Sequence, residues 1–584
     1  MTKDEVAAAL DEMGTLLALK GENAFRCNAY HNAARTVQQL DGDLKQIVAD
    51  GKLSEVRGIG DTLQEKITTL VKTGQHKFLN ELRASIPEGL VQMLRLPGMG
   101  PKKVKALHDT LGIDTIDKLK AACESGAVAS QKGFGAKTQQ KILEGIAFLG
   151  TVGNRVRIDL ALPLGRALLE QIKAMPGVIR AELCGSLRRR RETAKDIDIL
   201  VSSANAQPIM DAFVALPEVV QLVGQGPTKS SIVATMHLDG TKVTLNADLR
   251  VVTDEQFPFA LHYFTGSKEH NIRLRQRAID HGWLLNEYGL GSETHRVPAK
   301  DEADIFKALG LEYIPPELRE DTGEVEAAEA KKIPALVAES DIRGVFHNHT
   351  TYSDGTASLE EMALATKALG LEYFGVADHS QSLTIARGLP PNVVRKQWAE
   401  IDRVHAKLQG VTIIKGTEVD ILEDGSLDYD DELLAGFDYV VASVHSLFGM
   451  PEEEMTARVC KALAHPAVTM LGHSTGRLLL KRDGYKINLD AVLKCAAEHG
   501  KMIEINAQPS RLDLDWVHVK RAKAMGIPIV INPDAHSPGE LDLFRYGVDV
   551  ARRGWLTKDD VFNTRSLKDV MKELHRRKGQ RAKA

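Results

Sequence analysis

One stretch of sequence determines how the middle of this 584-residue chain folds: Gly185-Ser186-Leu187-Arg188-Arg189-Arg190-Arg191, followed by Asp196-Ile197-Asp198. Two aspartates at i and i+2 on a strand point to the same face, so they can share one or two divalent ions. The Gly-Ser turn lets backbone N–H groups approach a phosphate, and the arginines neutralise a triphosphate. Asp248, in the strand-like segment 245–250, offers a third carboxylate.

Each of these signals has an ordinary structural explanation when it stands alone. An Asp-x-Asp pair is more often a solvated strand face, and an arginine run is more often a solvated surface. Three motifs in one order argue against both of these structural explanations: Gly-Ser-x-Arg-Arg, then Asp-x-Asp, then Asp-x-Arg. We therefore predict an α+β domain over residues 151–315 that holds Mg²⁺ or Mn²⁺, with strands at 178–183, 196–201 and 242–249 and with the metal ligands Asp196, Asp198 and Asp248.

This pattern resembles the nucleotidyltransferase superfamily and, through Tyr263-Phe264-Thr265-Gly266-Ser267, the family X DNA polymerases. The resemblance implies a triphosphate-binding loop with Gly185, Ser186 and Arg189. It also implies that Tyr263, Phe264 and Gly266 pack against the sugar, and that Asn271 and Arg275 touch the minor groove of the base pair. Many relatives have an arginine where this chain has Asn246, a departure that bears on activation of the primer 3′-OH or on fidelity but removes no metal ligand.

Residues 1 to about 150 contain short helices broken by glycines, and one Gly-x-Gly pattern recurs three times. The pairs are Gly58 and Gly60, Gly98 and Gly100, and Gly133 and Gly135. Each opens an amphipathic run that carries lysine, which fits helix–hairpin–helix units whose N–H groups hold a DNA phosphate without reading sequence. Three ordinary helix-starting turns remain the alternative.

The segment 28–34, together with Gly58 to Lys66, resembles the small 5′-phosphate-binding domain of DNA polymerase beta. In that family a lysine after the first hairpin forms a Schiff base with an abasic sugar, and Lys66 falls at that position. A nucleophilic lysine needs a depressed pKa from burial or from neighbouring cations. A further basic position of the family's pocket is Thr62 here, so plain phosphate contact is an alternative role for Lys66.

Residues 341–575 alternate short apolar strands with amphipathic helices, which predicts a parallel sheet closed as a distorted (β/α)7 barrel. Polar residues follow nearly every strand: His347, His349, Asp354, His379, Glu418, His445, His473, Asp534 and His536. Strand ends converge on one rim of such a barrel. A lone histidine after a strand is usually structural, but nine such residues in register predict a site for about three Mn²⁺, Zn²⁺ or Fe²⁺ ions.

Two motifs of this segment resemble the PHP family of phosphoesterases. They are the opening His-x-His-Thr-Thr-Tyr-Ser-Asp-Gly at 347–355 and the closing Asp-Ala-His at 534–536. All nine positions of that family's trinuclear site match, whereas some polymerase-associated PHP domains have lost ligands. The resemblance therefore implies catalysis, in which a hydroxide formed at the ions attacks a phosphodiester.

Composition limits the remaining classes of protein. Hydrophobic residues make up 43% and charged residues 26% of the chain, as in globular domains. The formal net charge of -4 does not by itself indicate nucleic acid, so a surface for polyanions must be local. The five cysteines form no C-x-x-C pair, and no leader or membrane segment is recognisable, so we expect a cytoplasmic protein.

The expected multidomain α/β organisation is a helical 5′-phosphate or lyase-like DNA-binding domain at 1–85, helix–hairpin–helix fingers at 86–150, a palm with the dNTP subdomain at 151–315, a linker at 316–340 and the PHP domain at 341–575. The resemblances imply a monomer that fills short gaps in gapped or nicked DNA from dNTPs during base-excision or end repair. The PHP domain would act as a 3′→5′ exonuclease and clean abasic 3′ ends. Two alternatives are a PHP domain that hydrolyses small phosphomonoesters and an inactive chain that serves as a DNA-end scaffold.

Overall fold

The computed structural model describes residues 1, 3–38, 40, 44–56, 58–94, 96, 99–152, 155–238 and 240–581. Its contacts divide the chain into two units. The first comprises Met1–Arg155, Ala234–Leu245 and Leu480–Arg482, and the second comprises Val156–Val233, Asn246–Leu479 and Asp483–Ala584. The segments expected as palm and as barrel thus fall largely in one unit, while the domain boundaries themselves stay a prediction.

The first unit contains short helices around a core of aliphatic side chains. Leu10, Met13, Ile67 and Leu107 are fully or almost fully buried in that core. The helices are α1 (Lys3–Lys20), α2 (Ala24–Gln38), α3 (Leu44–Ala49), α4 (Asp61–Thr73), α5 (Lys77–Ala84), α6 (Glu88–Met93), α7 (Pro101–Leu111), α8 (Ile116–Glu124) and α9 (Ala136–Val152).

The second unit begins with the predicted α+β fold. Its elements are β1 (Val156–Arg157), α10 (Ile158–Lys173), β2 (Arg180–Leu183), α11 (Gly185–Arg188), β3 (Thr193–Ala194), β4 (Asp196–Ser202), α12 (Ala206–Val214), β5 (Val219–Gln225), β6 (Lys229–Leu238) and β7 (Thr241–Val252). The five-stranded sheet has the order β2-β4-β7-β6-β5. Strand β4 is antiparallel to β2 and parallel to β7, which brings the two aspartate-bearing strands side by side.

A helical segment follows the sheet: α13 (Phe257–Thr265), α14 (Lys268–Asp280), the hairpin of β8 (Leu284–Asn286) and β9 (Gly289–Gly291), α15 (Glu302–Ala308) and α16 (Glu324–Glu329). Residues 316–340, expected as a linker with some helix, are packed. Leu318, Val325 and Ala328 enter the same core as Leu274 and Phe306. Burial of these apolar side chains explains why the segment is ordered.

The seven predicted barrel strands all form and lie in sequence order in one parallel sheet. The elements are β10 (Gly344–Val345), α17 (Leu359–Ala368), β11 (Tyr373–Val376), α18 (Pro391–His405), β12 (Thr412–Asp420), α19 (Asp431–Gly436), β13 (Tyr439–Ser443), α20 (Glu452–Ala464), β14 (Met470–Leu471), α21 (Leu489–Glu498), β15 (Met502–Asn506), α22 (Trp516–Ala524), β16 (Ile529–Asn532), α23 (Phe544–Arg553) and α24 (Leu567–Arg581). A parallel bridge between Asn348 and Ala535 joins the two edges. The predicted fold class is therefore confirmed.

Within the described part of the chain, no helix is both long enough and apolar enough to cross a membrane.

Candidate active sites

Asp196, Asp198 and Asp248 lie together at one end of the palm sheet. Asp198 stands directly beside Asp248 in the register of β4 and β7. Ile197 and Ile199 alternate with the two aspartates of β4 and are buried, so the carboxylates of that strand share the other face. The predicted triad of carboxylates is thus brought together.

The ionisation of Asp198 reflects this crowding. Burial, followed by the neighbouring charges of Asp196 and Asp248, raises the pKa of its carboxyl to about 6, while Lys229 and Arg250 oppose the rise. Three clustered carboxylates repel one another unless cations compensate them. Their donor set of carboxylate oxygens is the one that Mg²⁺ and Mn²⁺ prefer.

The Gly-Ser turn lies directly against these carboxylates. Gly185 has a φ of +58°, and an added Cβ would collide with Asp198 Oδ2, so only glycine fits there. Arg188 donates to Glu302 and to Thr265 Oγ1, the latter at 2.6 Å. Arg189 donates from Nε to Glu320 Oε1 at 3.1 Å and from Nη1 to the Thr265 carbonyl.

The Tyr-Phe-Thr-Gly-Ser segment ends α13 and touches the same arginine. A Cβ added at Gly266, whose φ is +70°, would stand 3.1 Å from Arg189 Nη1. Asn271 Nδ2 donates to the carbonyl of Tyr263 at 2.7 Å, and Arg275 Nε donates to the carbonyl of Asn271 at 3.3 Å. The residues predicted for the sugar and the base pair therefore form one connected group.

Sequence reasoning missed Lys229, whose Nζ lies 2.6 Å from Asp248 Oδ2. It starts β6, the strand next to β7, and no motif in the sequence singles it out. Asn246 stands opposite Asp196 in the register and is exposed. In this chain Lys229 places a cation at the third carboxylate.

The Gly-x-Gly turns of the first unit share one geometry. The N–H of the middle residue donates to the carbonyl three residues earlier, at 3.2 Å for Ile59, 3.1 Å for Met99 and 3.0 Å for Phe134. These middle residues are buried, and α4, α7 and α9 follow directly. Three repeats of this geometry favour hairpins over unrelated turns.

The glycines leave the start of each following helix open. A Cβ added at Gly60, Gly100 or Gly135 would meet no described atom within 4 Å. Gly58 and Gly133 take positive φ values of +94° and +88°. Gly98 lies outside the described residues.

Lys66, the predicted lyase nucleophile, is buried on α4. Its Nζ lies 4.4 Å from the centre of the Phe78 ring, which also stacks on Tyr30. Glu65 Oε2 is 3.9 Å from Nζ, and Thr62 is exposed. The burial that nucleophilic chemistry needs is present, while the neighbouring charge is acidic.

The nine polar residues of the barrel meet at the carboxyl ends of its strands. Among the described residues, three groups have ligand atoms within 4.8 Å of one another. They are His349, Asp354, His379 and His536; His347, His349 and Asp534; and His379, Glu418 and His445. His473 joins them through Nε2, which lies 2.9 Å from Glu418 Oε1. The arrangement offers three overlapping positions for metal ions.

Acidic residues behind the cluster orient its imidazoles. His347 Nδ1 lies 2.7 Å from Glu504, and His445 Nδ1 lies 2.6 Å from Asp420, so both rings turn Nε2 toward Glu418. A carboxylate behind a histidine fixes ring orientation at metal sites. Sequence reasoning missed Glu504 on β15 and Asp420 at the end of β12.

Orphaned imidazole nitrogens show that this donor set fits metal ions. In the described chain, Nε2 of His347 and of His349 is buried and makes no hydrogen bond. Burial lowers the pKa of His445, but the Glu418 and Asp420 carboxylates outweigh it and raise that pKa to about 10. Without ions the cluster thus holds protons that metal binding displaces.

Comparison with known proteins agrees with this geometry. Family models match for a helix-hairpin-helix domain (residues 1–76), a SAM-like helix-hairpin-helix tandem (91–147), the DNA polymerase beta thumb (260–320) and the PHP domain (346–508). The DNA polymerase/3'-5' exonuclease PolX of Bacillus subtilis is 38% identical over 578 residues, which cover 99% of this chain and 100% of that protein. The chain belongs to the family X DNA polymerases that carry a PHP domain.

Other relatives of this family X chain match only part of it. A probable phosphatase of a Thermoanaerobacter species is 29% identical over 40% of this chain and 96% of its own length. A crystal structure of Leishmania infantum polymerase beta, described as a ternary P/T complex, is 25% identical with a TM-score of 0.28 and covers 40% of this chain and 99% of that one. Membership in the family X polymerases with a PHP domain implies dependence on divalent metal ions.

Proposed function

We propose that this protein is a DNA-directed DNA polymerase that fills short gaps during repair and carries a 3′→5′ exonuclease in its PHP domain. The observation that carries the proposal is the presence of two separate clusters of potential metal ligands, the carboxylates on β4 and β7 and the histidines and carboxylates on the barrel rim. The similarity to the Bacillus subtilis protein over the full length supports both activities. DNA and dNTPs are the substrates, and the protein acts as a monomer in the cytoplasm.

In the palm, Asp196, Asp198 and Asp248 would hold two Mg²⁺ or Mn²⁺ ions. When bound, such ions would supply positive charge that stabilises the attacking and leaving oxygens. Gly185 and Ser186 bring backbone N–H groups to the phosphates, and Arg189 neutralises them. Tyr263, Phe264 and Gly266 bound the sugar, while Asn271 and Arg275 test the shape of the base pair.

In the barrel, the nine residues would hold about three ions of Mn²⁺, Zn²⁺ or Fe²⁺. When bound, closely spaced ions would lower the pKa of water and offset the negative charge of a phosphate. Glu504 and Asp420 keep His347 and His445 oriented toward the ions. Asp354 and His536 are about a third exposed, so a DNA 3′ end can approach the cluster on their side.

The first unit binds DNA through its helix–hairpin–helix turns. The open space around Gly60, Gly100 and Gly135, at the starts of α4, α7 and α9, leaves room for a DNA phosphate whatever the base sequence. Lys66 lies against Phe78, which stacks on Tyr30, and there it contacts a 5′-phosphate and, as a second role, attacks an abasic sugar. We assign the DNA-binding hairpins to residues 1–85 and 86–150, the palm to 151–315, the linker to 316–340 and the PHP domain to 341–575.

A second candidate function concerns the barrel alone. Relatives named as probable phosphatases, such as the Thermoanaerobacter protein, favour hydrolysis of small phosphomonoesters. The hairpins and the palm on the same chain argue for a polynucleotide substrate instead.

A single set of assays tests the proposal. Wild-type protein is incubated in Mg²⁺ or Mn²⁺ with a labelled primer in gapped DNA, with and without dNTPs, and separately with nitrophenyl phosphate. We expect extension when dNTPs are present, shortening from the 3′ end when they are absent, and little release of nitrophenol. An absence of extension in both metals would overturn the polymerase assignment, and efficient nitrophenol release without primer shortening would favour the phosphatase.

A further inference from the structure

The C-terminal barrel reaches the arginine run of the palm. Helix α23 ends at Arg553, whose Nη1 donates to the backbone carbonyl of Arg189 at 2.9 Å and to Glu320 Oε1 at 3.3 Å. The Arg553 side chain is fully buried, and its guanidinium lies 5.0 Å from the centre of the Trp516 ring. A residue of the barrel therefore contacts the backbone of the segment proposed to bind triphosphate.

Glu320 is the centre of this contact. Its carboxylate accepts a hydrogen bond from Arg189 Nε at 3.1 Å and lies 3.9 Å from Arg191 Nη1, in addition to Arg553. One carboxylate thus faces three guanidinium groups, which leaves an excess of two positive charges. Such an excess suits a polyanion. Arg190 adds a further link, because its Nε lies 3.7 Å from Asp549 Oδ1 on α23.

Hydrogen bonds fix the triphosphate-binding loop, residues 185–191, on two sides. On one side, Arg189 Nη1 donates to the Thr265 carbonyl, beside Gly266. On the other side, Arg553 holds the Arg189 carbonyl and the carboxylate that binds the Arg189 guanidinium. Because Arg553 is fully buried and hydrogen-bonded on the side of the loop, its side chain has little freedom to move.

We infer that Arg553 is a positioning residue for nucleotide addition, through which the PHP barrel sets the conformation of the triphosphate-binding loop. The inference rests on the proposed role of Arg189. It extends that role by making the affinity for dNTP depend on a residue of the exonuclease domain. Arg553 touches neither the carboxylates of β4 and β7 nor the ligands of the barrel, so its effect falls on binding.

The test compares Arg553→Met with Arg552→Met in the full-length protein. Arg552 is the adjacent residue, and it donates to Glu317 and to the Val337 carbonyl without contacting the loop. We expect Arg553→Met to raise the KM for dNTP about tenfold, the effect of losing a charge-assisted hydrogen bond, with kcat changed less than about twofold. Arg552→Met should leave the KM for dNTP within about twofold, and both variants should degrade DNA like the wild type.

A lysine at position 553 should restore the affinity for dNTP. Arg553→Lys retains a donor for the carbonyl and a charge for Glu320, so its KM should return to within about threefold of wild type. Equal KM values in Arg553→Met and Arg552→Met would overturn the inference. A loss of kcat without a change in KM would overturn it as well.

A second variant keeps the test decisive if Arg553→Met does not fold. Glu320→Gln weakens the charged link between Arg553 and Arg189, so it should raise the KM for dNTP by about threefold, whereas an unchanged or lowered KM contradicts the inference. Asp198→Asn separates this inference from the proposed function. If Asp198→Asn still extends primers, the palm assignment fails; if it is inactive and the Arg553 variants behave like wild type, only the inference fails.

Discussion

Replacing Asp198 with asparagine should stabilise the metal-free protein while it removes the carboxylate needed for nucleotide addition. Burial and the carboxylates of Asp196 and Asp248 raise the pKa of Asp198 from 3.8 to about 6. A group whose folded-state pKa is raised loses stability as the pH rises from the unfolded value through the folded one. Each tenfold change in proton affinity corresponds to about 1.4 kcal/mol, so the loss above pH 6 is on the order of 2–3 kcal/mol.

Urea unfolding in the presence of a chelator, at pH 4.5 and at pH 7.5, measures this effect. Asp198→Asn removes the charge and keeps the shape, so its gain in free energy of unfolding should be about 1 kcal/mol at pH 4.5 and reach about 2–3 kcal/mol at pH 7.5. Asp280→Asn is the matched control, because Asp280 is an exposed aspartate on α14 of the same unit, and it should change stability by less than about 0.5 kcal/mol at both pH values. A destabilised Asp198→Asn variant, or an equal gain at both pH values, would show that the Asp198 carboxylate does not destabilise the metal-free protein at neutral pH.

Three further predictions concern DNA ends and the barrel. If the hairpin unit holds a 5′-phosphate, gapped DNA with that group should be filled faster than DNA ending in 5′-OH, with the difference shrinking as salt rises; equal rates at every salt concentration would exclude it. Borohydride should trap a covalent adduct between the protein and a 5′-deoxyribose phosphate, as followed on a denaturing gel, and an adduct that survives Lys66→Ala would rule out that lysine. Because Glu418 and Asp420 raise the pKa of His445 to about 10, metal binding must displace its proton, so calorimetric metal affinity should fall from pH 7.5 to pH 6, and an affinity that rises on acidification would contradict this.

Local sequence patterns predicted the fold class and the meeting of the polar residues in the barrel. Alternating strands and helices place every strand end on one rim, so His347, His445 and Asp534 had to converge whatever the details of the loops. The same logic put Asp196 and Asp198 on one face of β4.

Contacts between distant segments could not be predicted in this way. Lys229 pairs with Asp248 because β6 and β7 are neighbours, and that strand order is a property of the folded sheet. Glu504 lies within a strand, where an acid has no spacing that marks it as a partner of His347. Arg553 and Arg189 are 364 residues apart, and packing of the barrel against the palm alone brings them together.

The packing of the expected linker, residues 316–340, could not be predicted from the sequence either. This segment is predicted to be a linker. Leu318 and Val325 are nevertheless buried, and Arg319 is fully buried in an ion pair with Glu302. A buried arginine requires such a partner, which lies on α15 and cannot be identified from the composition of the segment itself.

The claim of two independent metal centres on one chain is tested most directly by measuring primer extension and primer degradation on the same labelled gapped DNA. Asp198→Asn and His379→Ala, each in full-length protein, are compared with the wild type. We expect that Asp198→Asn loses extension and keeps degradation, while His379→Ala loses degradation and keeps extension. Loss of both activities in either folded variant would contradict it, as would a His379→Ala variant that degrades DNA at the wild-type rate.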